Sequence, residues 1–395
     1  MFARLLWLSL GTFLIGTESF IVAGVLPELS GDLHVPVGAA GQLVTVYALS
    51  YAIGSPILAT LLGNVSRKPL LIAALATFAL ANALAAFAPS LGALMAVRVL
   101  LGLSAGVFTP TANAVAVQLV PAEMRGRAIA TVIGGMTVAV AFGAPLGTFL
   151  AGVASWRAPF AVLAGASVIA AAGLTIDLPR RLPAGAASLA ERIAMASRPQ
   201  VLVALLTTLF WAMSTFVLFV YVAPFLARAG IAGWQVSIAL LVFGVGGAAG
   251  NIYGGVIADR IGGTRSVAAS LTALGVVLAL ISAAATTLPL PLAGTVVVVL
   301  ILPWGFAGWS FYPAQSSRLI AVGGEAPVVA LSLNASALFF GQAAGAALGS
   351  LAISVGSLAD LGFIGATMAF VALAILGLSL RPARRVAAPC PEPAE

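Results

Sequence analysis

Apolar runs of about 20 residues or more recur twelve times along the chain, separated by short polar or Gly/Pro-bearing gaps. They cover residues 5–29, 39–62, 70–88, 92–119, 127–153, 158–177, 200–226, 235–257, 266–286, 291–320, 327–354 and 360–380. A helix rises ~1.5 Å per residue, so such a run can cross a hydrocarbon core of ~30 Å. Barrel strands would alternate in polarity over ~10 residues, which these runs do not. The pattern predicts an all-α membrane protein of twelve transmembrane helices. The longest gap, residues 178–199, holds Pro, Gly and four arginines. It predicts a linker between two six-helix bundles, 1–177 and 200–380, with a tail at 381–395. Within it Leu189–Ala196 has the pattern of a short interfacial helix.

The polar residues inside the spans are few. Glu18 lies near the middle of the first, where a carboxylate costs ~2.5 kcal/mol or more unless it is neutral, paired or facing water. Arg98 lies about two turns inside the fourth. It is either a fixed cation coupled to Glu18 or a packing group that bonds backbone carbonyls. Trp304, Trp309, Tyr312 and Gln315 fall on the tenth span. Aromatic faces beside an amide suit a planar ligand; interfacial anchoring is the alternative for the tryptophans. Tyr47, Tyr51, Asn113, Trp211, Asn334 and Gln342 are further candidates for a ligand cavity, each also explicable as interhelical packing.

Composition removes other classes. The 395-residue chain is 62% hydrophobic and 7% charged, whereas soluble domains carry ~25% charge. Cys390 and His34 are single residues of their types, so no disulfide, metal centre or cofactor is expected. The net charge of +7 is explained by orientation. With the N-terminus inside, Arg4, Arg67, Lys68, Arg125, Arg127, Arg180, Arg181, Arg192, Arg198, Arg260, Arg265, Arg318, Arg381, Arg384 and Arg385 are cytoplasmic, and only Arg157 and Arg228 are outside. Both termini are therefore expected in the cytoplasm, and nucleic acid is not an expected partner. The first span is too long, and carries an acid too centrally, for a cleaved signal peptide.

The halves share pattern. Phe108-Thr-Pro110-Thr-Ala-Asn113 matches Phe311-Tyr-Pro313-Ala-Gln-Ser316, and Gly143-Ala-Pro145-Leu-Gly147 matches Gly345-Ala-Ala-Leu-Gly349, at offsets of 203 and 202 residues. Two matches at nearly one offset indicate a duplicated unit, a plan used by transporters with a site between the halves. The stretch Gly255-Val-Ile-Ala-Asp259-Arg260-Ile-Gly262 reads as a loop after span 8. There Asp259 could cap a neighbouring helix and Arg260 could pair across the cytoplasmic face. Its counterpart after span 2 is Gly63-Asn-Val-Ser-Arg67-Lys68.

These two stretches resemble the signature loop of the major facilitator superfamily, in full at Gly255, Asp259, Arg260 and Gly262, and reduced to Arg67 and Lys68 in the first copy. Arg98 in Met95-Ala-Val-Arg98-Val-Leu-Leu-Gly102 is similar to the arginine that the family links to proton coupling. Gly143, Pro145 and Gly147 are similar to its span-5 antiporter motif. Gly16-Thr17-Glu18-Ser19-Phe20, Trp304-Gly305-x-x-x-Trp309-Ser310-x-x-Pro313-Ala-Gln315 and Asn334-Ala-Ser-Ala-Leu resemble the twelve-span drug:proton antiporters, among them bacterial exporters of purines and nucleosides, chloramphenicol or arabinose-like sugars.

The resemblance implies alternating access in a bacterial inner membrane, driven by a proton gradient and carried out by a monomer. Glu18 and Arg98 would couple the proton. Tyr47, Tyr51, Asn113, Trp211, Trp304, Trp309, Tyr312, Gln315, Asn334 and Gln342 would line the substrate cavity. The substrate would be a small neutral molecule, purines and nucleosides first. An uncoupled facilitator or a membrane sensor remains the alternative of another class. No nucleophile–base pair or metal cluster suggests an enzyme.

Overall fold

In the computed structural model the described residues are 2–180, 182–183, 185, 188–324 and 326–378. The expected tail 381–395, with Cys390, Arg381, Arg384 and Arg385, and also Arg181, lie outside them. The described residues form helices and no strands: α1 Phe2–Asp32, α2 Val37–Leu61, α3 Arg67–Ala86, α4 Leu91–Gln118, α5 Arg125–Val138, α6 Ala144–Val153, α7 Ala158–Asp177, α8 Leu189–Ala196, α9 Pro199–Phe219, α10 Val222–Arg228, α11 Trp234–Ile261, α12 Gly263–Thr287, α13 Leu290–Gly323, α14 Pro327–Val355 and α15 Leu361–Leu378. Twelve stretches are long and apolar enough to cross a membrane. The fifth joins α5 to α6 through a π-helical turn, Ala139–Gly143.

The helices pack as two groups. α1 to α7 interlock through α1 with α5 and α7, α2 with α4, and α3 with α4 and α7; α9 to α15 interlock through α11 with α13, α9 with α14 and α15, and α12 with α13 and α15. The glycines show the duplication in packing. A Cβ on Gly143 would strike Thr17, and one on Gly147 would strike Ile21. In the second half Gly345 lies against Met213 and Gly349 against Val217. Small residues four apart thus press the fifth span onto the first, and the eleventh onto the seventh, in the same register.

Three local features differ from the sequence pattern. The seventh run is not one helix, because the chain turns at Val220 and Tyr221 between α9 and α10. Pro224 offers no N–H to the carbonyl four residues earlier and its ring crowds that carbonyl. The π turn arises the same way, since Pro145 leaves the carbonyl of Ala141 without its helical donor. The stretch expected as a loop after span 8 is helix through Ile261, and Gly262, at φ +87°, makes the turn alone. Asp259 and Arg260 therefore stand exposed on the last turn of α11, and no side chain caps α12. Neither forms an ion pair with a described residue.

The two groups meet along two seams. On one, Ser350 Oγ donates to the Gly38 carbonyl at 3.0 Å and Thr45 Oγ1 to that of Ala343 at 3.5 Å. On the other, Asn251 Nδ2 donates to Thr137 Oγ1 at 3.0 Å. At the end where α8 lies, the linker end, Leu61 of α2 and Val328 of α14 are exposed. The linker itself straps the α2–α3 loop: Arg67 N donates to the Leu182 carbonyl at 3.4 Å, and Gly185 N to that of Gly63 at 3.1 Å.

Candidate functional site

α1 and α4 bring Glu18 and Arg98 together. The carboxylate, 0% exposed, accepts from the guanidinium, 2% exposed, through Oε1 and Nη1. Glu18 Oε2 and Arg98 Nη2 are buried with no hydrogen-bond partner among the described residues. Two rings face the guanidinium: Tyr47 of α2 with its centroid at 5.7 Å and Phe160 of α7 at 5.8 Å. Both distances are within cation–π range. Ser19 Oγ lies 2.9 Å from the Tyr47 hydroxyl and 3.0 Å from the Ile15 carbonyl. Its single proton serves one of them at a time.

This polar centre abuts the seam. Phe339 of α14 meets Tyr47 edge-on at 6.3 Å and stacks on Tyr51 at 3.7 Å with 23° between planes. On the far side of α1, Phe20 stacks with Phe216 of α9 at 6.4 Å and meets Phe219 and Trp309 edge-on. Phe219 continues this layer to Phe243 and Trp304. The indole nitrogens of Trp304 and Trp309 are buried without an acceptor among the described residues.

The remaining candidates divide. Trp211 is packed inside the second half, stacked on Phe311 at 4.5 Å with Nε1 donating to the Gly308 carbonyl at 3.0 Å. Gln315 and Asn334 join one node: Gln315 Nε2 donates to the Ala204 carbonyl at 2.6 Å and to Thr208 Oγ1 at 3.0 Å, and Thr208 donates to Asn334 Oδ1 at 2.6 Å. Arg318 closes it by donating to Gln315 Oε1 at 2.7 Å. These side chains are engaged with protein, which leaves Asn334 Nδ2 and the buried Gln342 Nε2 as open donors. Asn113 is half-buried and bonds the Thr109 carbonyl of its own helix at 3.2 Å. Tyr312 is half-buried and lies within electrostatic range of Tyr51.

Among the motif residues, Gly143, Gly147 and Lys68 act in packing. Lys68 Nζ donates to the carbonyls of Thr175 and Leu178 at the end of α7, at 2.7 and 2.6 Å. A Cβ on Gly255 would meet only Pro313, at 3.9 Å, an ordinary van der Waals contact. Among the described residues no His, Cys, Asp or Glu cluster could hold a metal ion. A surface cavity of ≈ 570 Å³ lined by Ile231, Gln235, Pro291 and Thr295 lies at the opposite end from α8, away from the ion pair.

Sequence reasoning missed Phe339, Phe20, Phe160, Thr208 and Phe219 as parts of the site. Phenylalanine in an apolar span carries no signal that separates a seam from a core. Only Phe20, two residues from Glu18, stood in a stretch already singled out.

Twelve apolar spans in two repeated groups, with a buried ion pair beside the seam between them, define a multi-pass membrane transporter. The chain belongs to the Major Facilitator Superfamily, whose family model it matches over residues 8–327. It is 35% identical to the inner membrane transport protein YdhP of Escherichia coli (strain K12), over 95% of this chain and 96% of that one. It is 32% identical to the uncharacterized MFS-type transporter YbcL of Bacillus subtilis (strain 168), over 93% of each. To the chloramphenicol resistance protein of Streptomyces lividans it is 31% identical, over 91% of each.

Proposed function

We propose that this transporter exports a small, neutral or weakly polar organic molecule in exchange for protons. The observation that carries the reading is the buried Glu18–Arg98 pair beside the seam at Tyr47. A carboxylate that gains and loses a proton there alters the charge balance of one half where it touches the other. Alternating access needs such a bias between two arrangements of the halves. Glu18 is the one acid deep inside a span, so one proton per cycle is the natural stoichiometry.

The halves are residues 1–177 and 200–380, joined by the linker 178–199. The protein works as a monomer in a bacterial cytoplasmic membrane with both termini in the cytoplasm, with the proton gradient in place of a cofactor and no role for nucleic acid. Its activity is transport and not catalysis. The aromatic layer from Phe20 to Trp304, with unpaired indole N–H groups, suits a planar molecule bearing hydrogen-bond acceptors. Purine bases and nucleosides fit that description first. Phenicols come second, favoured by the similarity to a chloramphenicol resistance protein, and small sugars third.

The test is a thermal-shift screen over purines, nucleosides, phenicols and pentoses. Proteoliposome transport of any hit under an imposed pH gradient follows, for the parent and for Glu18→Gln. Uphill accumulation in the parent and only downhill movement in the variant is the expected result. Equal uphill transport by both sinks proton coupling through Glu18. A parent that never accumulates its ligand points to the facilitator or the sensor.

A further inference from the structure

Phe339 is the ring of the second half that touches the polar centre of the first. It is wedged against both tyrosines of α2, edge-on to Tyr47 and stacked on Tyr51. Tyr47 in turn covers the Arg98 guanidinium and is hydrogen-bonded to Ser19, the neighbour of Glu18. We propose that Phe339 is the positioning residue through which the second half responds to the protonation state of the Glu18–Arg98 pair. This rests on the proton-coupled reading above and adds to it the route by which charge becomes movement.

The argument follows the charges. The groups that face Glu18 electrostatically are Arg98 from α4 and Tyr47 from α2; α5, α6, α7, α10 and α11, which also pack on α1, bring it none among the described residues. When Glu18 binds a proton, the Coulomb attraction to Arg98 vanishes. A buried guanidinium cannot follow by losing its own proton, and its Nη2 already lacks a partner among the described residues. Among the described residues, the aromatic groups that offer it negative potential are the faces of Tyr47 and Phe160. Phe160 belongs to the same half, so attraction to it moves nothing between the halves. Attraction to Tyr47 shifts a ring whose other neighbour is Phe339. Close-packed side chains do not yield smoothly, so a displaced Tyr47 pushes α14 or forces Phe339 to a new rotamer. The seam of α2 and α14 then has two arrangements, selected by one proton.

The experiment uses the proton as the ligand, so no substrate need be known. Spin labels are placed on Leu61→Cys and Val328→Cys, both exposed at the linker end of this seam, with Cys390→Ser in the background. Their separation is followed in proteoliposomes from about pH 5 to about pH 9, which spans the range a perturbed carboxyl covers. The infrared band of the protonated carboxyl, identified by its loss in Glu18→Gln, reports Glu18 itself. In the parent the two signals should move together. In Phe339→Leu the carboxyl band should still titrate, while the separation responds at least about tenfold more weakly in its equilibrium constant, a typical size for coupling between sites. Phe339→Tyr, which keeps the ring, should respond as the parent does.

A Phe339→Leu protein whose separation follows pH like the parent overturns the proposal. So does a Phe339→Tyr protein as unresponsive as Phe339→Leu, which would make the position one of packing alone. Failure of the underlying reading looks different: with Phe339 intact, Glu18→Gln would still shift with pH as the parent does.

Discussion

Gly244 of α11 lies against the backbone of Ala141 in the π turn of the fifth span: a Cβ there would sit 2.6 Å from the Ala141 Cα. The two halves touch here main chain to main chain, which only a glycine permits. Gly244→Leu should fold but hold this seam apart. If the halves rock about the site between them, wedging one part of the interface favours the opposite arrangement. The expected outcome is loss of transport together with a shorter distance between labels at residues 61 and 328. An unchanged distance with parental transport would show that the contact has no part in the cycle.

Removal of either partner of the buried ion pair should destabilise the protein unequally. A carboxylate left alone can neutralise itself by binding a proton, whereas a guanidinium cannot give one up. Glu18→Gln, which strands Arg98, is therefore the costlier change. It falls in the range of ~3–5 kcal/mol seen when a buried pair is broken. Arg98→Gln should cost less, and the double variant should recover part of the Glu18→Gln loss. Thermal unfolding in one detergent ranks the three, and a less stable Arg98→Gln would refute the order.

The strap between the halves begins at Lys68. Its ammonium donates to two carbonyls at the C-terminus of α7, a favourable place for a cation. The α2–α3 loop that ends beside it holds Leu182 and Gly185 of the linker by backbone bonds. Lys68→Met should cost about 1 kcal/mol and speed hydrogen exchange at the amides of Arg67 and Gly185, with little change at the ion pair. Unaltered exchange there would mean that the strap holds without the lysine.

α8 carries a capping box at Ser188 and Glu191: Ser188 Oγ accepts from Glu191 N at 3.2 Å, and Glu191 Oε2 accepts from Ser188 N at 2.7 Å. The bonds from the Ser188 backbone and side chain hold the Glu191 carboxyl below its ordinary range. A depressed carboxyl contributes stability above its unfolded pKa and loses it as pH falls through the folded one. Amide protection across Leu189–Ala196 should thus be flat through neutral pH and fade only below the usual carboxylate range. Ser188→Ala should weaken protection at every pH. A loss centred near neutrality would contradict the assignment to Glu191.

Several of these features were legible in the chain and several were not, for physical reasons. Span length and hydropathy fix which segments are helices, so the twelve runs and α8 could be placed from residue pattern alone. The repeat was visible because glycines that let helices touch recur at one offset. Glu18 and Arg98 drew attention because charge inside an apolar span is expensive, and the fold does bring them together. The turn at Tyr221 and the π turn depend on how Pro224 and Pro145 are accommodated, and many membrane helices absorb proline without breaking, as α1 does at Pro27. The helix through Asp259 and Arg260 ran past an expected loop because nothing between Gly255 and Gly262 stops it. Which phenylalanines meet across the seam depends on the rotation of each helix against another, and apolarity all around a span hides that.

Trp309 separates the two ways in which an aromatic layer can bind a planar substrate. Its ring lies between Phe20 of the first half and Trp211 of the second, at 5.9 and 6.4 Å. Its Nε1 is buried without an acceptor among the described residues. An unpaired buried donor costs ~1–3 kcal/mol, which a ligand acceptor would recover on binding. Trp309→Phe keeps the ring and removes both the donor and that cost. If the indole donates to substrate, affinity for a purine hit should fall about tenfold, the value of one hydrogen bond of about 1.4 kcal/mol, while the empty protein becomes slightly more stable. If stacking alone matters, affinity should survive Trp309→Phe and collapse in Trp309→Ala. Isothermal titration with a purine and with its analogue lacking the ring acceptor distinguishes the cases, since only an indole donor makes the purine, and not the analogue, prefer the parent to Trp309→Phe.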